Sequence, residues 1–194
     1  VGYTGKGWSP GRLEPGGRTQ NPAGKIFDNR YKKPPFKAMS HADYAGNFED
    51  FLADLQDDQP FCFWLGTYES HRAFQPGIGK LTGKNPDAVN VPAIFPDHSV
   101  VRNYLLDYLV EVEHFDAVVA QAIDAIDARG KLDNTIIVIT SDHGMPFPRA
   151  KASLYDAGSR VPLAIRWPNG IEKPGSVINS FVTLSDLAPT FLEA

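Results

Sequence analysis

Two adjacent residues in the second half of the chain, Asp142 and His143, carry side chains suited to binding a metal ion. They follow five β-branched residues at 135–139 and precede Gly144. Such a run packs well in a pleated sheet and predicts a strand that is buried on both faces. Ligands of parallel α/β sheets bind beyond the carboxyl ends of the strands. The pattern therefore predicts half of a divalent-metal site, and an Asp-His-Gly turn without a ligand is at this point an equally good interpretation.

Two further candidates follow predicted strands earlier in the chain. His71 comes after the apolar run 61–65, and Lys6 lies between two glycines after a short apolar start. If the strands are parallel, His71 leaves the same edge of the sheet as Asp142. Lys6 supplies a point charge suited to an anion. Each residue taken alone is also explained as a solvated loop side chain.

Hydrophobic periodicity predicts the helices that position these residues. One helix begins at Ser40, with Asp43 in an approximate capping box, and its apolar stripe ends near Asp57. A longer helix spans 99–129, with Gly130 as its terminating residue. A third is predicted at 184–193, whereas 12–39 and 73–98 show no usable period and are predicted to be irregular.

The strands and the long helix predict the fold class. Strand 61–66, helix 99–129 and strand 135–140 form one right-handed βαβ unit, and a further strand is predicted at 161–167. The expected fold is α/β, with a mostly parallel sheet flanked by helices. Its carboxyl edge would collect the following polar side chains: Lys6, His71, Asp142, His143 and Lys151. This set suits a tetrahedral oxyanion bound to a divalent cation.

Composition limits the possible partners. The 194 residues suit one domain, with 42% hydrophobic and 22% charged residues. The net charge of −4 and the lack of a basic stripe with interleaved aromatic residues argue against nucleic-acid binding. No segment reaches about 18 apolar residues, so no membrane insertion is expected. The single cysteine, Cys62, allows no internal disulfide and is predicted to be a buried, inert thiol.

Three motifs together resemble a known family. They are TSDHG at 140–144, PFPRAK at 146–151 and LYDAGSRVPL at 154–163. They resemble the second metal-binding segment of the formylglycine-dependent sulfatases, which have an alkaline-phosphatase-like fold, and the heparan N-sulfatase-like branch in particular. KLDNT at 131–135 and LSDLAPT at 184–190 are also similar to that family.

The resemblance implies a role for each candidate residue. Asp142 and His143 would bind calcium, although many members have Asn where His143 stands. Lys6, His71 and Lys151 would contact the sulfate and take part in catalysis. Many members also have a His where this chain has Trp8, so no role is assigned to that position.

The resemblance also implies a partial catalytic domain over residues 1–194, without the nucleophile segment and the C-terminal subdomain. The family forms its formylglycine in a Cys/Ser-x-Pro-x-Arg motif, which this sequence lacks, so the nucleophile is expected upstream of Val1 and the chain alone is expected to be inactive. The expected substrate is a sulfated glycan, with an N-sulfamate or an O-sulfate group, in the periplasm, the extracellular space or the lysosome. The sequence does not indicate an oligomeric state.

Two alternatives stay open. The first is a phosphodiesterase or phosphonate hydrolase of the same superfamily, since these enzymes share an Asp-His pair at a strand end. The second is a noncatalytic sulfoglycan-binding protein that kept the anion pocket.

Overall fold

The computed structural model describes residues 1–7 and 13–194. The strands are β1 (Gly2–Gly5), β2 (Lys25–Ile26), β3 (Phe63–Gly66), β4 (Ile137–Thr140) and β5 (Leu163–Arg166). The α-helices are α1 (Tyr44–Ala53), α2 (Ile78–Leu81), α3 (Ser99–Asp127), α4 (Asp156–Ser159) and α5 (Leu187–Glu193). Within the described ranges, no helix is both long and apolar enough to cross a membrane.

The first three strands form a parallel sheet in the order β2-β1-β3. β1 and β3 pair over their whole length, from Gly2 opposite Phe63 to Gly5 opposite Gly66. Because parallel strands end at the same edge, the residues after Gly5 and after Gly66 leave the sheet side by side. This sheet and its flanking helices confirm the predicted α/β class.

The predicted βαβ unit is wrong in its last step. β4 lies in a separate two-stranded sheet, where it pairs antiparallel with β5. Among the described residues, β4 and β3 are not hydrogen-bonded to each other. The β-branched composition of β4 predicts a strand but does not specify its partner. β4 is also half-buried along its length instead of buried on both faces.

Helices α1 and α3 cover one face of the three-stranded sheet. Phe48 and Phe51 of α1 contact Phe63, with ring centroids 4.7 and 4.6 Å apart, and the end of α3 contributes Ile126 to the same cluster. Successive side chains of a strand point to opposite faces, so Phe63 faces these helices and Trp64 does not. Trp64 is 59% exposed.

The same alternation corrects the prediction for Cys62, which is exposed. An apolar run in the sequence indicates a strand, but it does not show whether one face or both faces of that strand are covered.

The structure moves the start of the first helix. α1 begins at Tyr44, and its N-cap is Asp43, whose carboxylate accepts a hydrogen bond from the backbone N–H of Gly46. The predicted N-cap at Ser40 is therefore three residues early, and the predicted end near Asp57 is late, because α1 ends at Ala53. The long helix is confirmed at Ser99–Asp127, and Gly130 adopts a left-handed backbone (φ 64°) just after it.

Candidate active site

Lys6 follows β1 in a tightly constrained turn. Its backbone N–H donates to the carbonyl of Gly66 at 2.7 Å. The preceding Gly5 has φ +66°, and a Cβ there would lie 2.2 Å from the carbonyl oxygen of Gly66, so only glycine fits. Asp28 also supports the turn, accepting from Thr4 Oγ1 at 2.6 Å and from the Gly5 N–H at 2.9 Å. Lys6 is therefore fixed beside the carboxyl end of β3, and Trp8 lies outside the described residues.

The segment that leads from β3 to His71 is anchored from several sides. The Thr67 hydroxyl donates to the carbonyl of Glu69 at 2.8 Å, and the Tyr68 N–H donates to the hydroxyl of Tyr44 at 3.0 Å. The backbone N–H of Ser40 donates to Glu69 Oε1 at 2.7 Å. These bonds fix the backbone just before His71, whose side chain is exposed.

The geometry after β4 fits a cation in part. His143 Nδ1 lies 2.8 Å from the carbonyl oxygen of Gly144, so neutral His143 carries its lone pair on Nε2. That nitrogen lies 3.6 Å from Asp142 Oδ1, and the side chain of Asp142 is 64% exposed. Donors that each lie about 2.3 Å from one ion are roughly 3.3–3.7 Å apart when the angle between them is about 90–105°. The pair therefore fits two adjacent ligands of a metal ion.

These two residues do not complete a metal site. Within residues 1–7 and 13–194, no group of three or more His, Cys, Asp or Glu side chains could hold a metal ion. Calcium takes six to eight oxygen ligands, so most of its ligands would have to come from residues other than Asp142 and His143. Asp142 and His143 stay predictions as metal ligands.

Lys151 lies in a loop whose backbone is tightly folded. The Lys151 N–H donates to the carbonyl of Met145 at 3.1 Å, and the Gly144 N–H donates to the carbonyl of Gly158 at 2.9 Å. A Cβ at Gly144 would lie 1.8 Å from the carbonyl oxygen of Ala157, so this position requires glycine. The Lys151 side chain is exposed, and it forms no ion pair with the described part of the chain.

An aromatic cluster joins the His71 segment to the Lys151 loop. Phe74, three residues after His71, and Phe147, four residues before Lys151, have ring centroids 6.3 Å apart. Both rings also contact Tyr104 of α3, at 5.2 and 5.5 Å. Hydrophobic packing thereby brings together two loops that leave different sheets.

The predicted constellation is thus assembled differently from the sequence-based expectation. Strand pairing places Lys6 beside the end of β3, and the aromatic cluster joins the His71 segment to the loop of Asp142, His143 and Lys151. The expectation that all these residues leave one sheet edge is wrong, because β4 belongs to the second sheet.

Two buried carboxyl groups near the site were missed by the sequence analysis. Glu69 is 8% exposed, and Glu111 of α3 is 1% exposed. Burial, together with the nearby charge of Glu69, raises the pKa of Glu111 to about 7. A signal was present in the sequence, since Glu111 falls within the apolar stripe of the long helix, between Tyr108 and Phe115.

Comparison with known proteins identifies the family. The profile of the sulfatase family matches residues 16–194. The chain belongs to the sulfatase family.

Relatives of this chain include two proteins that are named for aminosugar substrates. It is 30% identical to human N-sulphoglucosamine sulphohydrolase over 159 residues, which cover 71% of this chain and 32% of the relative. It is 38% identical to N-acetylglucosamine-6-O-sulfatase from Bacteroides thetaiotaomicron over 96 residues, 47% of this chain and 17% of that enzyme. The chain therefore spans at most about a third of the length of these two relatives.

A solved structure supports the same fold. The protein yidJ of Bacteroides fragilis, itself assigned to the sulfatases, superposes with a TM-score of 0.61 and 26% identity. The match covers 77% of this chain and 35% of that protein. The resemblance drawn from TSDHG, PFPRAK and LYDAGSRVPL is confirmed at the level of the family and of its fold.

Proposed function

We propose that the intact enzyme containing this chain hydrolyses sulfuric esters or sulfamates of a glycan. Family membership carries the proposal, supported by one geometric observation. The Asp142 carboxylate and the Nε2 of His143 lie 3.6 Å apart on a loop that also bears Lys151 and packs against the segment of His71.

The metal would be held by Asp142 and His143 together with further oxygen ligands, and calcium suits a site that includes an exposed carboxylate. A bound divalent cation polarises a sulfate oxygen and offsets the negative charge that develops during cleavage. In neutral His143, Nδ1 donates to the carbonyl oxygen of Gly144, which leaves the lone pair of Nε2 free to bind the metal.

The cationic residues would orient the sulfate group. Lys6 is fixed beside the end of β3, and Lys151 carries an exposed ammonium group, so both can donate to sulfate oxygens. His71 or Lys151 would give a proton to the leaving oxygen or nitrogen. A formylglycine hydrate supplied by another part of the protein would provide the nucleophile, because the motif that forms it is missing from this sequence.

The substrate is proposed to be a sulfated glycosaminoglycan unit. The names of the two relatives point to N-sulfated glucosamine and to 6-O-sulfated N-acetylglucosamine, respectively. Such substrates are consistent with action in the lysosome, the periplasm or the extracellular space.

The experiment is to incubate the intact enzyme with N-sulfoglucosamine and with N-acetylglucosamine 6-sulfate and to measure the inorganic sulfate released. Release from either sugar supports the proposal, and the faster substrate identifies the bond. Failure to release sulfate from both sugars, with metal supplied and formylglycine verified by mass spectrometry, would contradict the proposed substrate class.

A further inference from the structure

The turn around Gly158 touches two loops of the proposed site. It belongs to LYDAGSRVPL at 154–163, a motif whose residues take no part in the chemistry proposed above. Its helix α4 is a single turn, and Gly158 is the buried residue of that turn. The contacts of Gly158 run both to the loop of Asp142 and His143 and to the loop of Lys151.

The first contact is a crossing of two backbones. The Gly144 N–H donates to the carbonyl oxygen of Gly158 at 2.9 Å. A Cβ at Gly144 would lie 1.8 Å from the carbonyl oxygen of Ala157 and 3.0 Å from the Cα of Gly158. Such a close approach of two main chains needs glycine. Because Gly144 directly follows His143, the crossing fixes the backbone beside both proposed metal ligands.

The second contact leaves no room for a side chain at Gly158. A Cβ there would lie 2.3 Å from the carbonyl oxygen of Ala150 and 2.4 Å from that of Ser153. Both are backbone atoms, so rotation of a side chain cannot relieve the overlap. The φ of Gly158 is not left-handed, so space and not backbone conformation is what requires glycine here. Gly158 thereby packs directly against the turn that carries Lys151.

The hydroxyl of Ser153 closes the same turn. It donates to the carbonyl oxygen of Ala150 at 2.9 Å and lies 3.1 Å from the carbonyl oxygen of Arg149. The Ser153 N–H also donates to the Ala150 carbonyl, at 3.2 Å. Lys151 lies between the residues that these bonds join, so Ser153 restrains the backbone on both sides of the lysine.

The restrained turn has a strained backbone. Arg149 and Ala152 have left-handed φ angles of 62° and 59°. Residues with a Cβ rarely adopt this conformation, and it persists only where the surrounding contacts over-determine it. Strain of this kind is found preferentially at functional sites. Ser153 and Gly158 supply contacts that hold it here, immediately around Lys151.

We propose that Ser153 and Gly158 are positioning residues, which together hold the strained turn of Lys151 in a fixed place relative to the loop of Asp142 and His143. Both act through other residues. The Ser153 hydroxyl acts through the placement of the Lys151 ammonium group, and Gly158 acts by letting the two loops meet on α4. The catalytic part of this role rests on the proposed function, whereas the coupling of the two loops does not depend on it.

The first experiment is a double-mutant cycle between Ser153 and Lys151 in the intact enzyme. Ser153→Ala should lower kcat for a sulfate ester by about 10–100-fold, because misplacing a catalytic group can cost about 100-fold in rate. In the Lys151→Ala background the same substitution should cost less than about twofold, because Ser153 acts only through the lysine. Equal losses in both backgrounds would overturn the positioning of Lys151.

Ser159→Ala is the matched control for this cycle. Its exposed hydroxyl also bonds to a backbone carbonyl, that of Tyr155 at 3.1 Å, but outside the turn of Lys151. We expect kcat of Ser159→Ala to equal that of wild type. The same loss of kcat in Ser159→Ala as in Ser153→Ala would count against a specific role of Ser153 and overturn the proposal.

The second experiment measures the coupling of the loops without any turnover. Hydrogen exchange of the intact enzyme is followed by mass spectrometry in segments 143–145 and 149–153. Gly158→Ala should raise exchange in both segments by at least about tenfold, because the added methyl group separates them. Gly16→Ala is the control, since a Cβ there would meet no atom of the described residues within 4 Å. Unchanged exchange in both segments of Gly158→Ala would overturn the coupling.

Ser153→Ala keeps this test informative if Gly158→Ala does not fold. It removes a single oxygen atom and should raise exchange in segment 149–153, and unchanged exchange there would overturn the role of Ser153.

The outcomes separate this proposal from the proposed function. If the intact enzyme released no sulfate but Gly158→Ala raised exchange in both loops, the proposed function would fail and the coupling would stand. If sulfate were released and neither segment changed its exchange, the function would stand and the positioning role would fail.

Discussion

At the scale of single residues, the proposal makes the carboxylate of Asp142 a ligand of the metal ion. Its side chain is 64% exposed, and its Oδ1 lies 3.6 Å from Nε2 of His143. Asp142→Asn keeps the size of the side chain and removes its charge. We expect calorimetry on the intact enzyme to show that calcium affinity falls by at least about 100-fold. Loss of a residue that only orients a ligand lowers metal affinity by about 10–100-fold, and loss of the ligand itself should lower it at least as much.

A matched control is Asp156→Asn. Asp156 is an exposed carboxylate of the same segment, 4.0 Å from Arg160 in a surface ion pair that contributes little to stability. Calcium affinity should be unchanged in this variant. Equal affinities for Asp142→Asn and wild type would exclude Asp142 as a ligand.

The ammonium group of Lys151 provides the second prediction at this scale. Lys151→Ala removes one positive donor from the proposed sulfate site, and such donors contribute about 10²–10³ in rate when they face developing charge. We expect kcat/KM for a sulfate ester to fall by that factor, with an unchanged melting temperature because the side chain is exposed. Lys173→Ala, at another exposed lysine of the second half, should retain wild-type kinetics.

The sequence identifies Asp142, His143 and Lys151 as candidates because their residue types and order carry chemical information. It does not reveal the tautomer of His143, which depends on the position of the Gly144 carbonyl. It also does not predict the ionisation of Glu111, because that depends on burial by α3 and on the charge of Glu69.

At the scale of elements, the aromatic cluster of Phe74, Tyr104 and Phe147 holds two loops of the site together. Phe147 is 7% exposed, so Phe147→Ala leaves a cavity and should lower the free energy of unfolding by about 3–5 kcal/mol. Urea unfolding measures this loss. Activity should fall even where the variant is folded, because the Lys151 loop loses its contact with the His71 segment.

Phe181→Ala is the control for this change, since Phe181 is fully exposed. Its effect should stay within about 0.5 kcal/mol. If Phe147→Ala were equally mild, packing of this cluster could not be what places the Lys151 loop.

Elements differ in how far the sequence predicts them. Helix α3 was predicted almost to the residue, because 29 residues give many repeats of the helical period. The start of α1 was misplaced, since both Ser40 and Asp43 are acceptable N-caps and only the bond to the Gly46 N–H distinguishes them. The partner of β4 could not be predicted, because strand composition does not encode pairing direction.

At the scale of the whole molecule, α3 connects the two sheets. One end contributes Ile126 to the cluster under the three-stranded sheet, where Ile137 of β4 also packs. Near the other end of α3, Leu105 packs with Phe74 and Phe147. The second sheet is thus attached through hydrophobic contacts centred on one helix, and not through a continuous hydrogen-bonded ladder among the described strands.

Buried titratable groups on α3 make stability depend on pH in two directions. The lowered pKa of His114 means that the unfolded chain binds more protons just below pH 6.5, so stability falls on acidification in this range. This effect is opposite in sign to that of Glu111. His114→Gln should therefore lose less stability than wild type between pH 7 and pH 5, as measured by urea unfolding.

The exposed His41 provides the comparison, because His41→Gln should lose as much stability on acidification as wild type. An unchanged acid sensitivity in His114→Gln would mean that His114 is not the group responsible.

The most direct test of the sulfatase assignment is the rate at which the intact enzyme hydrolyses matched sulfate and phosphate esters, with calcium and with a chelator. We predict faster release of sulfate, loss of activity with the chelator and recovery on addition of calcium. Preferential release of phosphate, or sulfate release that the chelator does not affect, would contradict a metal-assisted sulfatase site built on Asp142 and His143. Tight binding of a sulfated glycan without any turnover would instead indicate a binding protein.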